Sequence, residues 1–200
     1  MLRRVLLATA MSSLALACSG AQQPSVNAEL RSWAAGPVRW LLQADERRQL
    51  DRIATRPQAV AFRQQFWARR DGRGRASGPG SFRELFEQRV EAADLLYAGD
   101  TGGQPGSLSD RGRALVILGA PPRLERRSWD VVAWSPGSAA GEQRRQRLPA
   151  EVWTYEAGDL LEGQAELAPI QLVFLLERSG ARLRRGQRDL VQAAAALVRR

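Results

Sequence analysis

Apolar residues recur at helical intervals through the first half of the chain. Leu42, Leu50 and Ile53 fall in one segment, and Val60, Phe62, Phe66 and Trp67 in the next. Thr55-Arg56-Pro57 separates them as an N-cap followed by a proline in the first turn, so Val38 to Arg70 predicts a helix pair. The aromatics of FRQQFWARRD keep helical spacing, which assigns them to a core and not to a ligand box. Asp71 to Gly80, DGRGRASGPG, reads as a loop. Ser81 and Glu84 then form a capping box, and Phe82, Leu85, Phe86, Val90, Ala93, Leu96 and Tyr97 share one face of a third helix.

Beyond the glycine-rich stretch Gly99 to Gly106 the period changes. RALVILG (113–119) is a short continuous apolar run, EVWTYE (151–156) alternates, and IQLVFLLERSG (170–180) is long and partly β-branched or aromatic, closing on a Ser-Gly turn before ARLRR. Each predicts a strand, and together they predict an antiparallel sheet. Residues 135–149 between the first two lack apolar side chains of any size until Leu148 and predict a loose insertion. Leu190, Val191, Ala194, Leu197 and Val198 return to helical spacing and predict a terminal helix over Arg188 to Arg200. The pattern is that of an α+β fold: N-terminal helices packed on a small antiparallel sheet, with a C-terminal helix.

The extreme N-terminus follows another logic. Arg3 and Arg4 precede a short run of apolar and small residues, Val5 to Ala17, too short to span a bilayer and of the form of a secretory signal. It ends in Ala15-Leu16-Ala17-Cys18, which resembles the lipobox of bacterial lipoproteins, whose cysteine is acylated and becomes the new N-terminus. Several acyl chains on Cys18 would anchor the protein to a membrane surface without spanning it. Ser19 after the cysteine is not the aspartate that resembles an inner-membrane retention signal, which favours the outer membrane. Residues 18–32, polar and containing Pro24, read as a flexible tether, and residues 33–200 as a single domain.

Composition then restricts the chemistry. All 30 basic residues are arginine, histidine is absent and Cys18 is the single cysteine. Walker-type phosphate binding, Schiff bases, Ser-His-Asp and Cys-His systems, His- or Cys-ligated zinc and intrachain disulfides all lack their residues. No alternating acidic loop suggests calcium, and the expectation is no metal and no cofactor. A net charge of +9 and pI near 11.3 would point to nucleic acid if clustered. The arginines instead interleave with carboxylates along the chain, so no nucleic-acid partner is expected.

GSLSDRGRALVILGAPP, Gly106 to Pro122, is the most distinctive stretch. Asp110, flanked by Ser109 and Gly112, can accept backbone N–H bonds and pair with Arg111 or Arg113, which would pin the loop. A sharper possibility is an anion pocket in which Gly102, Gly103, Gly106 and Gly112 expose backbone N–H groups beside Arg111 and Arg113. A third is a hydrolase using Asp110 with Glu151 or Glu156 as paired carboxylates. The candidate binding or structural motif is therefore Gly106, Ser109, Asp110, Arg111, Gly112 and Arg113, with no residue assigned a catalytic role.

Taken in order, Trp40-Leu41, DERRQL (45–50), FWARRD (66–71), the pattern from Phe82 to Asp94, Gly106 to Pro122, EVWTYE and FLLERSG resemble the GWxTD-domain family of secreted bacterial proteins. The resemblance runs from about Val38 to Gly180 and is most specific over Asp110 to Pro122. The family's name motif corresponds to Gly106-Ser107-Leu108-Ser109-Asp110, with Ser107 in place of Trp and Ser109 in place of Thr. The acidic residue of its GxPD is replaced by Pro122. The resemblance implies architecture and secretion, and no reaction. The function expected is that of a lipid-anchored envelope protein facing the periplasm that binds or scaffolds a protein or glycan partner. A carboxylate-dependent hydrolase of cell-wall or surface polymers is the alternative.

Overall fold

The computed structural model describes residues 26–71, 80–134 and 143–199. The expected signal segment and Cys18 lie outside the described residues, as do most of the loop after Asp71 and residues 135–142 of the expected insertion. The architecture is α+β, with helices layered on one face of a four-stranded antiparallel sheet.

Helices α1 (Val26–Ala35), α2 (Ala44–Leu50), α3 (Arg56–Asp71) and α4 (Phe82–Tyr97) build the N-terminal half, with a 3₁₀ turn over Pro37–Trp40. The capping box at Ser81 forms as expected: its hydroxyl accepts from the Glu84 N–H at 3.1 Å, and Glu84 accepts from the Ser81 N–H at 2.9 Å. Trp33, Phe62, Phe66, Trp67 and Phe86 form a chain of edge-on and tilted ring contacts. These aromatics are core, as their spacing required. Leu96 departs from the expected face and stands exposed beside Leu95.

Three expectations need correction. Residues 18–32 are not a tether throughout, because α1 begins at Val26 and buries Leu30. The apolar run 113–119 is not a strand: it is most of helix α5 (Asp110–Leu118). The expected insertion at 135–149 is corrected over its second part: residues 143–149 belong to β2 (Gln143–Tyr155), which pairs with β1 (Arg123–Trp134) in a long hairpin, while 135–142 lie outside the described residues. With β3 (Ile170–Glu177) and β4 (Gly180–Leu183) they form a meander in the order β1-β2-β3-β4. Helix α6 (Arg188–Arg199) closes the chain where its periodicity placed it.

Alternation splits the sheet into two faces. Trp153, Tyr155, Ile170, Leu172, Phe174 and Leu183 point into the main core with the helices, while Ala150, Val152, Val173 and Leu175 form a smaller cluster on the other side, next to Trp129, Val131 and Leu148. β1 is an edge strand whose exposed arginines, Arg123, Arg126 and Arg127, discourage pairing with another chain.

Within the helical half the one fully buried ion pair joins α2 to α3 among the described residues. Arg70 donates two hydrogen bonds to the Glu46 carboxylate at 3.0 and 2.8 Å, and one each to the Phe66 and Leu41 carbonyls at 2.8 Å. Burial drags the Arg70 guanidinium below its ordinary value, against the opposing pull of Glu46. Such a pair is costly to break from one side. Glu46→Ala should therefore lower the unfolding free energy by about 3–5 kcal/mol in a urea titration. Replacing both residues, Glu46→Leu with Arg70→Met, should recover most of that loss.

Candidate functional site

The distinctive stretch is the packing centre of the molecule. A 3₁₀ turn over Gly106–Leu108 leads into α5, whose N-cap is Ser109; its hydroxyl accepts from the Gly112 N–H at 2.9 Å. α5 touches α4, α6, β4 and the turn at Pro37–Trp40, and everything from Ala114 to Leu118 is buried.

The glycines serve close approach. A Cβ on Gly112 would collide with the Gly106 carbonyl, and one on Gly106 would collide with the Ala93 carbonyl and the backbone of Tyr97 and Ala98. Here α4, the 3₁₀ turn and α5 meet backbone to backbone. Gly112 spends its N–H on Ser109, and Gly102 and Gly103 lie in the open loop before the turn.

Each charged residue of the motif is tied to a different neighbour. Asp110, in the first turn of α5, accepts from the Leu183 N–H at 2.9 Å and from the Arg188 guanidinium at 3.0 Å, joining α5 to the end of β4 and the start of α6. Arg111 turns the other way and grips Asp100 through two donors at 2.7 Å each, while a third donates to Glu151 at 3.0 Å. Its guanidinium also lies 4.7 Å from the Tyr97 ring centroid. Burial opposes the Arg111 charge, but the hydrogen bonds to Asp100 and Glu151 more than offset it and hold the group above the arginine range. Arg113 donates to the Gln192 side chain at 2.7 Å and lies 4.8 Å from the Trp40 centroid; burial lowers its pKa.

The three expected acids do not converge. Asp110 belongs to the α5–α6 corner, Glu151 is buried between Arg111 and Arg126, and Glu156 is exposed at a 3₁₀ turn, where its N–H donates to Asp159 at 2.7 Å. Two partners escaped the sequence reading. Asp100 sits in a glycine-rich stretch whose composition marks only a loop. Asp94 accepts from the Ser107 N–H at 2.7 Å and falls among ordinary solvated acids of a helix.

The far end of α5 is closed as carefully as its start. Gly119 takes a positive φ of 94° at the helix end, its carbonyl accepts from the buried Tyr155 hydroxyl at 2.9 Å, and Arg89 donates to the Val116 and Ile117 carbonyls at 3.4 and 3.3 Å. Gln164 donates to the carbonyls of Ile117 and Ala194 at 3.2 Å each, bridging α5 to α6. Burial raises the Tyr155 phenol well above its ordinary value.

Among the described residues no group of three or more acidic, histidine or cysteine side chains could hold a metal, and no helix is long and apolar enough to cross a membrane. No family model, no curated protein and no solved structure matches the chain.

Two outcomes follow from this geometry. Gly112→Ala should cost more than about 4 kcal/mol or prevent folding, whereas Gly99→Ala, with open space around it, should change stability by less than about 1 kcal/mol. Thermal melts of the two variants separate a packing role from loop flexibility. Tyr155 keeps its proton in the folded state above the pH, about 10, at which the unfolded chain releases it. The stability tied to that proton is intact below pH 10 and falls as pH rises through the folded value. Tyr155→Phe should lose about 1 kcal/mol at neutral pH with the Gly119 hydrogen bond, yet show a shallower decline in stability between pH 10 and 11.5.

Proposed function

We propose that the protein is a lipid-anchored component of the bacterial cell envelope, held through Cys18 at the outer membrane facing the periplasm, whose α+β domain binds or scaffolds a protein or glycan partner. The observation that carries the anchor is the order of the first eighteen residues: two arginines, a short apolar run and a small-residue approach to the only cysteine. On this reading the chain resembles the GWxTD-domain proteins in Asp110 to Pro122 and in the order of flanking motifs. Ser107 replaces the family's tryptophan, and a tryptophan from elsewhere stands against the same segment: the Trp40 indole N–H donates to the Ser107 carbonyl at 3.1 Å.

Binding is favoured over hydrolysis by how the acids are spent. A carboxylate pair needs two groups facing one substrate bond. Asp110 and Glu151 face arginines of separate corners, and Glu156 sits away from both. The motif residues Gly106, Ser109, Asp110, Arg111, Gly112 and Arg113 then act as the structural joint that holds the domain's surfaces in register.

Acylation is tested directly. Cells expressing the wild-type chain should incorporate labelled palmitate into it and accumulate precursor under globomycin, and Cys18→Ala should abolish both. Release of unacylated wild-type protein into the periplasm would defeat the proposal. Hydrolysis of a defined envelope polymer by the purified protein, lost in Glu151→Gln with the fold retained, would replace the binding reading by the enzymatic one.

A further inference from the structure

The arginines are dispersed along the sequence, but folding gathers a set of them on the outer side of the sheet. The hairpin of β1 and β2 runs past the end of β3, so Trp129, Val131 and Val132 come to face the segment that leaves β4. Between them lies a groove of about 750 Å³ that includes Arg182, Arg184, Arg185 and Arg188. The Arg184 guanidinium, from the far side of the groove, lies 5.1 Å from the Trp129 ring centroid, and Arg127 lies 5.0 Å from it.

The charge of this groove is only partly neutralised. Arg182 pairs with Glu177 and Arg188 with Asp110, while Asp130, the one acid lining the groove among the described residues, pairs with Arg147 across the hairpin. Arg184 and Arg185 have no ion pair among the described residues, and both side chains are exposed. Two adjacent unpaired guanidiniums in a concavity present forked donors that match the oxygens of a phosphate. Val132 is exposed on the groove rim, with Trp129 half-buried beside it. An indole and an aliphatic side chain flanking cations suit a lipid–water interface, where rings settle at the headgroup level and arginines reach phosphates. The Trp129 ring is already approached by two guanidiniums, which leaves less of it to stack on a nucleobase.

We infer that this groove docks on the phosphate headgroups of anionic lipids, with Arg184 and Arg185 as the principal contacts and Trp129 and Val132 at the acyl boundary. The contact adds to the proposed Cys18 anchor and does not require it: it would orient the domain on a surface to which the acyl chains only tether it.

The test uses the full chain carrying Cys18→Ser, so that acylation contributes nothing and a failure here is distinct from a failure of the anchor. Co-sedimentation compares phosphatidylglycerol vesicles with phosphatidylcholine vesicles, which also subtracts any contribution of the apolar N-terminal run. At low salt the parent chain should prefer phosphatidylglycerol by at least tenfold, and Arg184→Glu with Arg185→Glu should remove that preference. Arg48→Glu with Arg56→Glu, an equal change of net charge at exposed sites on α2 and α3, should leave it within threefold. Circular dichroism melts of both double variants should match the parent. Equal losses in the two double variants would reduce the effect to net charge and overturn the inference, as would a parent without preference. Displacement of the chain by 10 mM inorganic phosphate at constant ionic strength would make the groove a site for the free anion. Tighter, Arg184-dependent binding to a DNA duplex would make it a nucleic-acid site.

Discussion

Everything else in this fold depends on how closely α4 and α5 approach. Gly106, in the 3₁₀ turn, meets the backbone at the end of α4, and Gly112, in the first turn of α5, meets Gly106, so α4, the turn and α5 stack backbone to backbone where a Cβ would collide. Without a Cβ at either place, α5 sinks into the centre of the molecule, where it can touch helices on one side and the sheet on the other. The consequence is a helix with almost no solvent face and therefore a demanding polar ledger at both ends. An isolated helix end leaves four N–H or four C=O groups without partners, and burial makes each expensive. Ser109 meets the need at the start, and Arg89, Gln164 and Tyr155 meet it at the finish.

The charged residues of DRGR extend this ledger outward. Consecutive positions on a helix point about 100° apart, so Asp110 and Arg111 diverge to different parts of the fold. Asp110 fastens α5 to β4 and α6, and Arg111 fastens it to Asp100 before the helix and to Glu151 in the sheet. A single turn of helix thus links the end of the N-terminal helices, strands β2 and β4 of the sheet and the terminal helix. This explains why so polar a tetrapeptide stands at the threshold of the most buried segment, without requiring that it touch a ligand.

Much of this was legible in the residues, and the misreadings have physical causes. α4 announced itself through a capping box and a clean apolar stripe, and α6 through its period, because both are helices with one face in water. α5 is buried all round, so its apolar run carries no period and can be taken for a strand. Its helical signals were at the ends: a serine N-cap, an acid in the first turn and glycine just past the last turn. β1 fails from the opposite cause. As an edge strand with most of its described residues in solvent, it needs no apolar alternation, and its half-buried Trp129 lies beside Arg127 and Arg184. Of the candidate site, Asp110 was expected to pair with Arg111 or Arg113, but it accepts from the Leu183 N–H and Arg188 instead; these partners, Asp100 and the separation of Asp110 from Glu151 could not be inferred, since all depend on long-range placement of loop, strand and helix.

A protein whose only cation is arginine must use one side chain for two opposed purposes. Arg70, Arg89 and Arg111 are sunk among carbonyls and carboxylates, where the planar fork satisfies several acceptors at once and the very high pKa keeps the charge despite burial. A lysine there would offer a compact ammonium that deprotonates more readily on desolvation. Those arginines are committed by the fold. Arg184 and Arg185 are of the other kind: exposed, adjacent, and without a carboxylate among the described residues to answer them. Like charges placed side by side repel, and a nearby acid would relieve that repulsion at little structural cost. Glu46, Asp100 and Glu151 are instead held by the inward-turned arginines and Asp130 by Arg147 on the hairpin, and among the described residues no carboxylate forms an ion pair with Arg184 or Arg185. The same distribution of ion pairs that turns Asp110 and Glu151 toward arginines of separate corners thus leaves Arg184 and Arg185 unpaired in the groove, and both proposed readings, binding over hydrolysis and docking on an anionic surface, draw on it.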